Sequence, residues 1–209
     1  MDGNGQTELA DSLSGMRKPE SGEIQVGGVA LSPTPRAVRD AQIGVIPADR
    51  QKRGLALSMS ITENLTLGVQ DSPAFRTNIF LDAKALRARA EQLITRFDIR
   101  TEGPEAKADS LSGGNQQKVV IARALSGDPK VVVAVNPTRG LDVGAIGYVH
   151  KALREAQASG AAILLISTEL DEVLTLSDRV AVLFDGKLMG IVPPETPREA
   201  LGKLMGGVA

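Results

Sequence analysis

The stretch Leu111-Ser112-Gly113-Gly114-Asn115-Gln116-Gln117-Lys118 runs straight into the amphipathic segment 119–125, and after a Gly127-Asp128-Pro129 break come the five apolar residues 131–135. A serine ahead of two glycines and an apolar-periodic run predicts a helix over 114–125 with Ser112 near its start. At such a junction the first backbone N–H groups have no partner inside the helix, and the helix dipole puts partial positive charge there. The two glycines let an anion approach the backbone with no Cβ in the way, and the Ser112 hydroxyl adds a donor. These residue types in this order suit a phosphate. An ordinary capped helix start would use the same serine with no ligand at all.

Outward from this point the chain alternates short β-branched runs with amphipathic stretches, the pattern of strands crossed over by helices in a mostly parallel sheet flanked by helices. Strands are expected at 42–46, 131–135, 162–166 and 180–184, each apolar throughout as when both faces of the sheet are covered. Asp185-Gly186 predicts a hairpin turn into a strand at 187–192. Helices are expected at 7–14, 82–97, 114–125, 143–158, 169–176 and 197–205. Asp82 and Thr196 are read as N-caps, with Pro197 at the first helical position. Pro33 and Pro35 mark a loop. No strand is expected between Thr62 and Leu125, so this part reads as an inserted helical subdomain within one α/β domain spanning 1–209.

The eight residues 111–118 resemble the signature loop of ABC ATPases, and further segments follow the order of that family. Gly5-Gln6-Thr7 resembles the end of a phosphate-binding P-loop, and Ile46-Pro47-Ala48-Asp49 the Q-loop. The run 131–138 resembles the Walker B strand, Gly140-Leu141-Asp142 the D-loop, and Leu165-Ile166-Ser167-Thr168 the strand end that carries the switch histidine. Within the family, residues 49–55, 115–118 and 137–145 are similar to the second half of tandem ATPases serving simple-sugar and nucleoside importers. The resemblance implies a P-loop NTPase-like fold, with 1–61 and 126–209 as a RecA-like core and 62–125 as its helical subdomain. The strand that opens the family's fold is missing; the expectation is a polypeptide that continues upstream, with Met1 standing where the family tolerates a Val.

Further implications of the resemblance are ATP and Mg²⁺ as cofactors, and a head-to-tail dimer with a partner ABC half that works on membrane permease subunits. Leu111, Ser112, Gly113, Gly114, Asn115, Gln116 and Asp142 would contact nucleotide in the partner's site. Gly3, Asn4, Gly5, Gln6 and Thr7 would form the chain's own pocket, with the Thr7 hydroxyl on the metal. Several positions have lost their chemistry. Gln6 stands where the P-loop has Lys, so an amide that can donate a hydrogen bond replaces a charge. Val135 and Asn136 stand for the Walker B Asp and Glu; valine has no ligand atom, and Asn136 can orient water without accepting its proton. Thr168 replaces the switch histidine and Ala48 the Q-loop glutamine. One such loss costs on the order of 10²- to 10³-fold in rate, so hydrolysis in the chain's own site is expected to be negligible.

Bulk properties fit this reading. The 209 residues carry a formal net charge of -1 and no cysteine, which excludes disulfides and Cys-ligated metal and offers no basic face for nucleic acid. The longest apolar runs are far below the roughly 18 residues of a membrane span. The opening Met1-Asp2-Gly3-Asn4-Gly5 is no secretory leader, and the expectation is a cytoplasmic protein, peripheral on the inner face of the cell membrane. Two alternatives remain: a non-functional fragment of the fold, and a soluble ABC ATPase acting away from membranes, which would keep Walker B intact. His150 is read as a surface or packing residue, Arg87, Arg89 and Arg96 as a solvated helix face, and Asp171-Glu172 as acidic charge at a helix start.

Overall fold

A computed structural model describes residues 3–208, apart from the side chain of Thr77; Met1 and Asp2, expected at the chain's phosphate loop, lie outside the described residues. The chain divides into two compact units. One gathers residues up to 41, 133–136 and the chain from 163 on; the other comprises 42–132 and 137–162.

In the first unit, α1 (Gln6–Leu13) is followed by a two-residue ladder of β1 (Gln25–Val26) with β2 (Val29–Ala30). Pro35 lies in no loop: it opens α2 (Pro35–Asp40), whose cap is Thr34, its Oγ1 accepting the Ala37 N–H at 3.2 Å. A proline costs nothing at that position because the N–H it lacks would be unpaired anyway. Further along come α7 (Leu170–Leu176), the hairpin β8 (Val180–Phe184) with β9 (Lys187–Val192), and α8 (Arg198–Met205). Asp185 and Gly186 both have positive φ, 46° and 71°, the geometry of a two-residue hairpin turn. Val180, Val182 and Leu201 form the core here, with Leu170, Val173, Leu204 and Met205 packed around them. Thr196 is not the cap of α8: its hydroxyl donates to the Pro193 carbonyl at 2.7 Å, and Pro197 takes the cap position with no side-chain bond. Asp171 and Glu172 do stand in the first turn of α7, but Glu172 is buried.

The second unit holds β3 (Ile43–Ile46), a π-helical turn (Arg50–Gly54), α3 (Ile61–Thr66), α4 (Ala83–Arg96), α5 (Gly113–Leu125) and α6 (Val143–Ala158). Helix α5 is its centre: Val119, Val120, Ile121 and Ala122 are fully buried, and the helix packs on α3, β3 and α6. Asp82 caps α4 as expected, accepting the Ala85 N–H at 2.9 Å. Between α3 and α4 a short antiparallel pair, β4 (Arg76–Thr77) and β5 (Phe80–Leu81), stands where no strand was expected; two residues are too few to display a period. Arg89 is not on a solvated face, since its guanidinium reaches Ser126 Oγ at 3.1 Å and lies 5.5 Å from the Phe75 ring.

Strands β6 (Val131–Val135) and β7 (Ala162–Ile166) are cut by the division between the units, and the strand order is β3-β6-β7. The Lys130 N–H donates to the Gln42 carbonyl at 2.9 Å, the Ala162 N–H to the Lys130 carbonyl at 2.9 Å, and the Asn136 N–H to the Ile166 carbonyl at 2.7 Å. Starts lie beside starts and ends beside ends, so the three strands are parallel. Val132 to Val135 of β6 are buried, whereas β7 exposes Ala162 and Leu164 and β8 exposes Ala181, so coverage of both faces is not general.

Candidate nucleotide-contacting loops

Gly3 to Thr7 turn into the start of α1. Gly5 caps the helix at φ 99°, and a Cβ there would come 3.2 Å from the Gly186 Cα, so both the backbone angle and the space require glycine. No side chain caps this helix at Gly5. The loop uses much of its polarity internally. The Asn4 N–H donates to Gln6 Oε1 at 2.9 Å, Asn4 Oδ1 accepts the Asp185 N–H at 3.0 Å, and the Asn4 carbonyl accepts the Gly186 N–H at 3.2 Å. Gln6 therefore does more than omit a charge. Its oxygen occupies a donor of the loop. Thr7 and Gly3 are exposed.

The next two positions lock on each other. Asn136 leaves β6 at φ 41°, a left-handed angle that Asn tolerates better than most residues. Its Oδ1 accepts the Thr168 N–H at 2.9 Å and the Thr168 hydroxyl at 3.3 Å. Val135 is buried. Asn4, Gln6 and Thr168 share a cavity of about 90 Å³ with apolar residues such as Leu170 and Val182. Small-molecule pockets hold roughly 300–1,000 Å³. Among the described residues no group of three His, Cys, Asp or Glu side chains could hold a metal. Among the described residues this set does not fit hydrolysis of a Mg²⁺-nucleotide: no carboxylate lines the cavity, and the Thr168 hydroxyl is already engaged by Asn136.

In the second unit the signature stretch is built differently. Ser112 is the N-cap of α5, and its Oγ accepts both the Asn115 N–H at 3.4 Å and the Asn115 side-chain amide at 3.0 Å. A hydroxyl has two acceptor sites and one proton, so two accepted bonds leave that proton to be donated outward. Asn115 is steadied in turn, its Oδ1 accepting the Arg100 N–H at 2.9 Å. Ser112 is exposed and Gly113, Gly114 and Asn115 are half-buried. Leu111 and Gln116 are brought to the interior instead: Gln116 is 3% exposed, donating to the Ala108 carbonyl at 3.1 Å and accepting from Gln51 Nε2 at 3.1 Å. They anchor the loop.

Asp142 is exposed and caps α6, its Oδ1 accepting the Ala145 N–H at 2.9 Å; the following Val143 is 86% exposed. This segment borders the signature loop, for a Cβ on Gly114 would lie 3.4 Å from the Ala145 Cβ, and Gln117 Nε2 donates to the Pro137 carbonyl at 2.8 Å. Ala48 offers only a methyl. Beside it Asp49 caps the turn Arg50–Gly54, and the Lys52 and Gln51 N–H groups hold its carboxyl below the usual carboxylate range. Sequence reasoning missed Arg50, whose Nη1 donates to the Arg139 carbonyl at 3.1 Å and whose Nη2 would lie 2.8 Å from a Cβ on Gly113.

An α/β fold with a parallel three-stranded arrangement and a serine-capped, glycine-opened helix fits the class of P-loop nucleotide-binding proteins. The sequence profile of the ABC transporter family matches residues 1–139, and the chain belongs to that family. It is 44% identical over 209 residues to the nucleoside import ATP-binding protein NupA of Lactococcus lactis subsp. cremoris, covering 99% of this chain and 41% of that protein. The guanosine import ATP-binding protein NupO of Bacillus subtilis gives the same identity and coverage, 44%, 99% and 41%. The ribose import ATP-binding protein RbsA of Halalkalibacterium halodurans is 38% identical over 192 residues, covering 91% and 38%. The chain thus spans about two fifths of the length of these curated relatives. Among solved structures, a nucleotide-free ATP-binding cassette from an ABC transporter superposes with a TM-score of 0.78 at 23% identity, covering 97% of this chain and 81% of that one. The ATP-binding cassette MJ0796, a post-hydrolysis dimer bound to ADP and Pi, gives 0.75 at 21%, covering 94% and 84%. The fold is that of an ABC cassette.

Proposed function

We propose that this chain is an ATP-binding half of an ABC importer for nucleosides or simple sugars, and that it completes a partner half's ATP site while its own site does not hydrolyse. The observation that supports this is the contrast between the two loops. Ser112 keeps a hydroxyl proton to donate at an open helix start. The chain's own loop has Gln6 seated on the Asn4 N–H, and Asn136 is engaged by Thr168. Ser112, Gly113 and Gly114, with Asn115 behind them, would place donors on the γ-phosphate of ATP held with Mg²⁺ by the partner. Asp142 would stand beside the same nucleotide. Gly3, Asn4, Gly5, Gln6 and Thr7 would bind nucleotide weakly or serve as structural closure.

In this reading 62–125 is the helical subdomain and 1–61 with 126–209 the RecA-like core. ATP-driven closure of the pair would act on permease subunits through residues 48–67, at the inner face of the membrane. No described helix is long and apolar enough to cross a membrane itself. The test is steady-state ATP turnover of this chain mixed with an ABC half that retains Lys, Asp and Glu in its own motifs. Ser112→Ala should lower the pair's rate on the order of 10²-fold, as removal of one preorganised donor does. The chain alone should show none; turnover by the chain alone, abolished by Thr7→Ala, refutes the reading.

A further inference from the structure

Arg50 sits between the two segments that face outward in the second unit. Its Nη1 donates to the Arg139 carbonyl at 3.1 Å, three residues ahead of Asp142. Its Nη2 fills the space beside Gly113, where a Cβ would come within 2.8 Å. The adjoining Gln51 reaches Gln116 Oε1 at 3.1 Å, and Asp49 fixes the turn from which both side chains project, accepting the Gln51 and Lys52 N–H groups at 3.0 Å each. A guanidinium is a planar fork that can hold two groups at a set spacing, which an ammonium cannot. Arg50 Nε is buried with no hydrogen-bond partner in the structure. An orphaned donor is unfavourable, so the side chain is held here by its other contacts.

We propose that Arg50 is a positioning residue: it clamps the signature loop at Gly113 to the segment leading into Asp142, so that both present to a neighbouring nucleotide as one rigid unit. The clamp itself is a property of this chain; its effect on turnover rests on the proposed role in a partner's site.

The test is amide hydrogen exchange on the 209-residue chain. Arg50→Ala should speed exchange at the hydrogen-bonded amides of Asn115, Gln116, Leu141 and Ala145 by about tenfold, the scale of one lost hydrogen bond, while the thermal midpoint moves little. Gly113→Ala pushes a methyl against Nη2 and should speed exchange at Leu141 as well; in the Arg50→Ala background it should add nothing there. Unchanged exchange at Leu141 in Arg50→Ala, or additive effects of the two changes, overturns the clamp. If Arg50→Ala does not fold, Arg50→Lys, which has no fork, is read by the same criterion. In a turnover assay with the partner half, Arg50→Ala should lower kcat at saturating ATP and leave KM nearly unchanged. A wild-type pair with no turnover would refute the functional proposal, and the exchange measurements would still decide the clamp.

Discussion

Placing a lysine at position 6 perturbs the chain's own loop at its most informative atom. In the native loop Gln6 Oε1 takes the Asn4 N–H at 2.9 Å. Gln6→Lys removes that bond, a loss of about 1 kcal/mol in stability at a half-buried site. It also frees the Asn4 N–H and brings an ammonium to the glycine-capped start of α1. Charge-assisted hydrogen bonds to phosphate contribute roughly 1.5–3 kcal/mol. At about 1.4 kcal/mol per decade, the dissociation constant for Mg²⁺-ATP should fall roughly 10- to 150-fold. Titration calorimetry of the native chain and the variant with Mg²⁺-ATP measures this directly. Turnover should stay absent, because Asn136 Oδ1 remains engaged by Thr168 and has no basicity to offer. Equal affinities in the two proteins would refute the claim that Gln6 blocks the loop, and hydrolysis appearing with the Gln6→Lys change alone would refute the claim that Asn136 keeps the site inactive.

Two more outcomes test the second unit. Tyr148 is the chain's one tyrosine, and burial first, then the charges of Asp98 and Glu155, push its pKa up to about 12. Phenolate absorbance should therefore titrate near 12 in the folded chain rather than near the ordinary value of 10.0. The unfolded chain ionises first, so the stability from neutral Tyr148 is complete below 10.0 and is lost as pH rises toward 12; a midpoint at 10.0 in folded protein contradicts this. Asn64 is fully buried, its Oδ1 accepting the Ala56 N–H at 2.9 Å and its Nδ2 donating to the Ala56 and Ser60 carbonyls at 3.0 Å each. Asn64→Ala strands the Ala56 N–H, while the Ala56 and Ser60 carbonyls keep the Met59 and residue-64 backbone N–H groups, and should cost about 2 kcal/mol in urea unfolding; a loss under about 1 kcal/mol would show that water replaces the amide.

What could be read in the sequence followed from local pattern. The strands at Val131–Val135, Ala162–Ile166 and Val180–Phe184 are apolar runs bounded by turn residues, and Asp185-Gly186 is a turn whose backbone angles those residues accept. The pieces at Gln25–Ala30 and Arg76–Leu81 escaped notice because two-residue strands carry no period. Ser112 was legible near a helix start because a cap is local, and it is the N-cap of α5. The pairing of Asn136 with Thr168 spans 32 residues, and that of Arg50 with Arg139 spans 89. No spacing rule anticipates such contacts. Gln6 illustrates the limit at closest range. Its amide, by residue type a donor in place of a charge, serves in the fold as an acceptor.

The two bonds between Asn4 and the Asp185-Gly186 turn join residues 181 and 182 positions apart. A ribosome adds roughly 5–20 residues each second, so the turn reaches the growing chain roughly 10–35 s after Asn4. Until then Asn4 lacks these two partners. A ligand that depends on residues 3–7 therefore meets a finished loop only once the hairpin of β8 with β9 has been made and has closed.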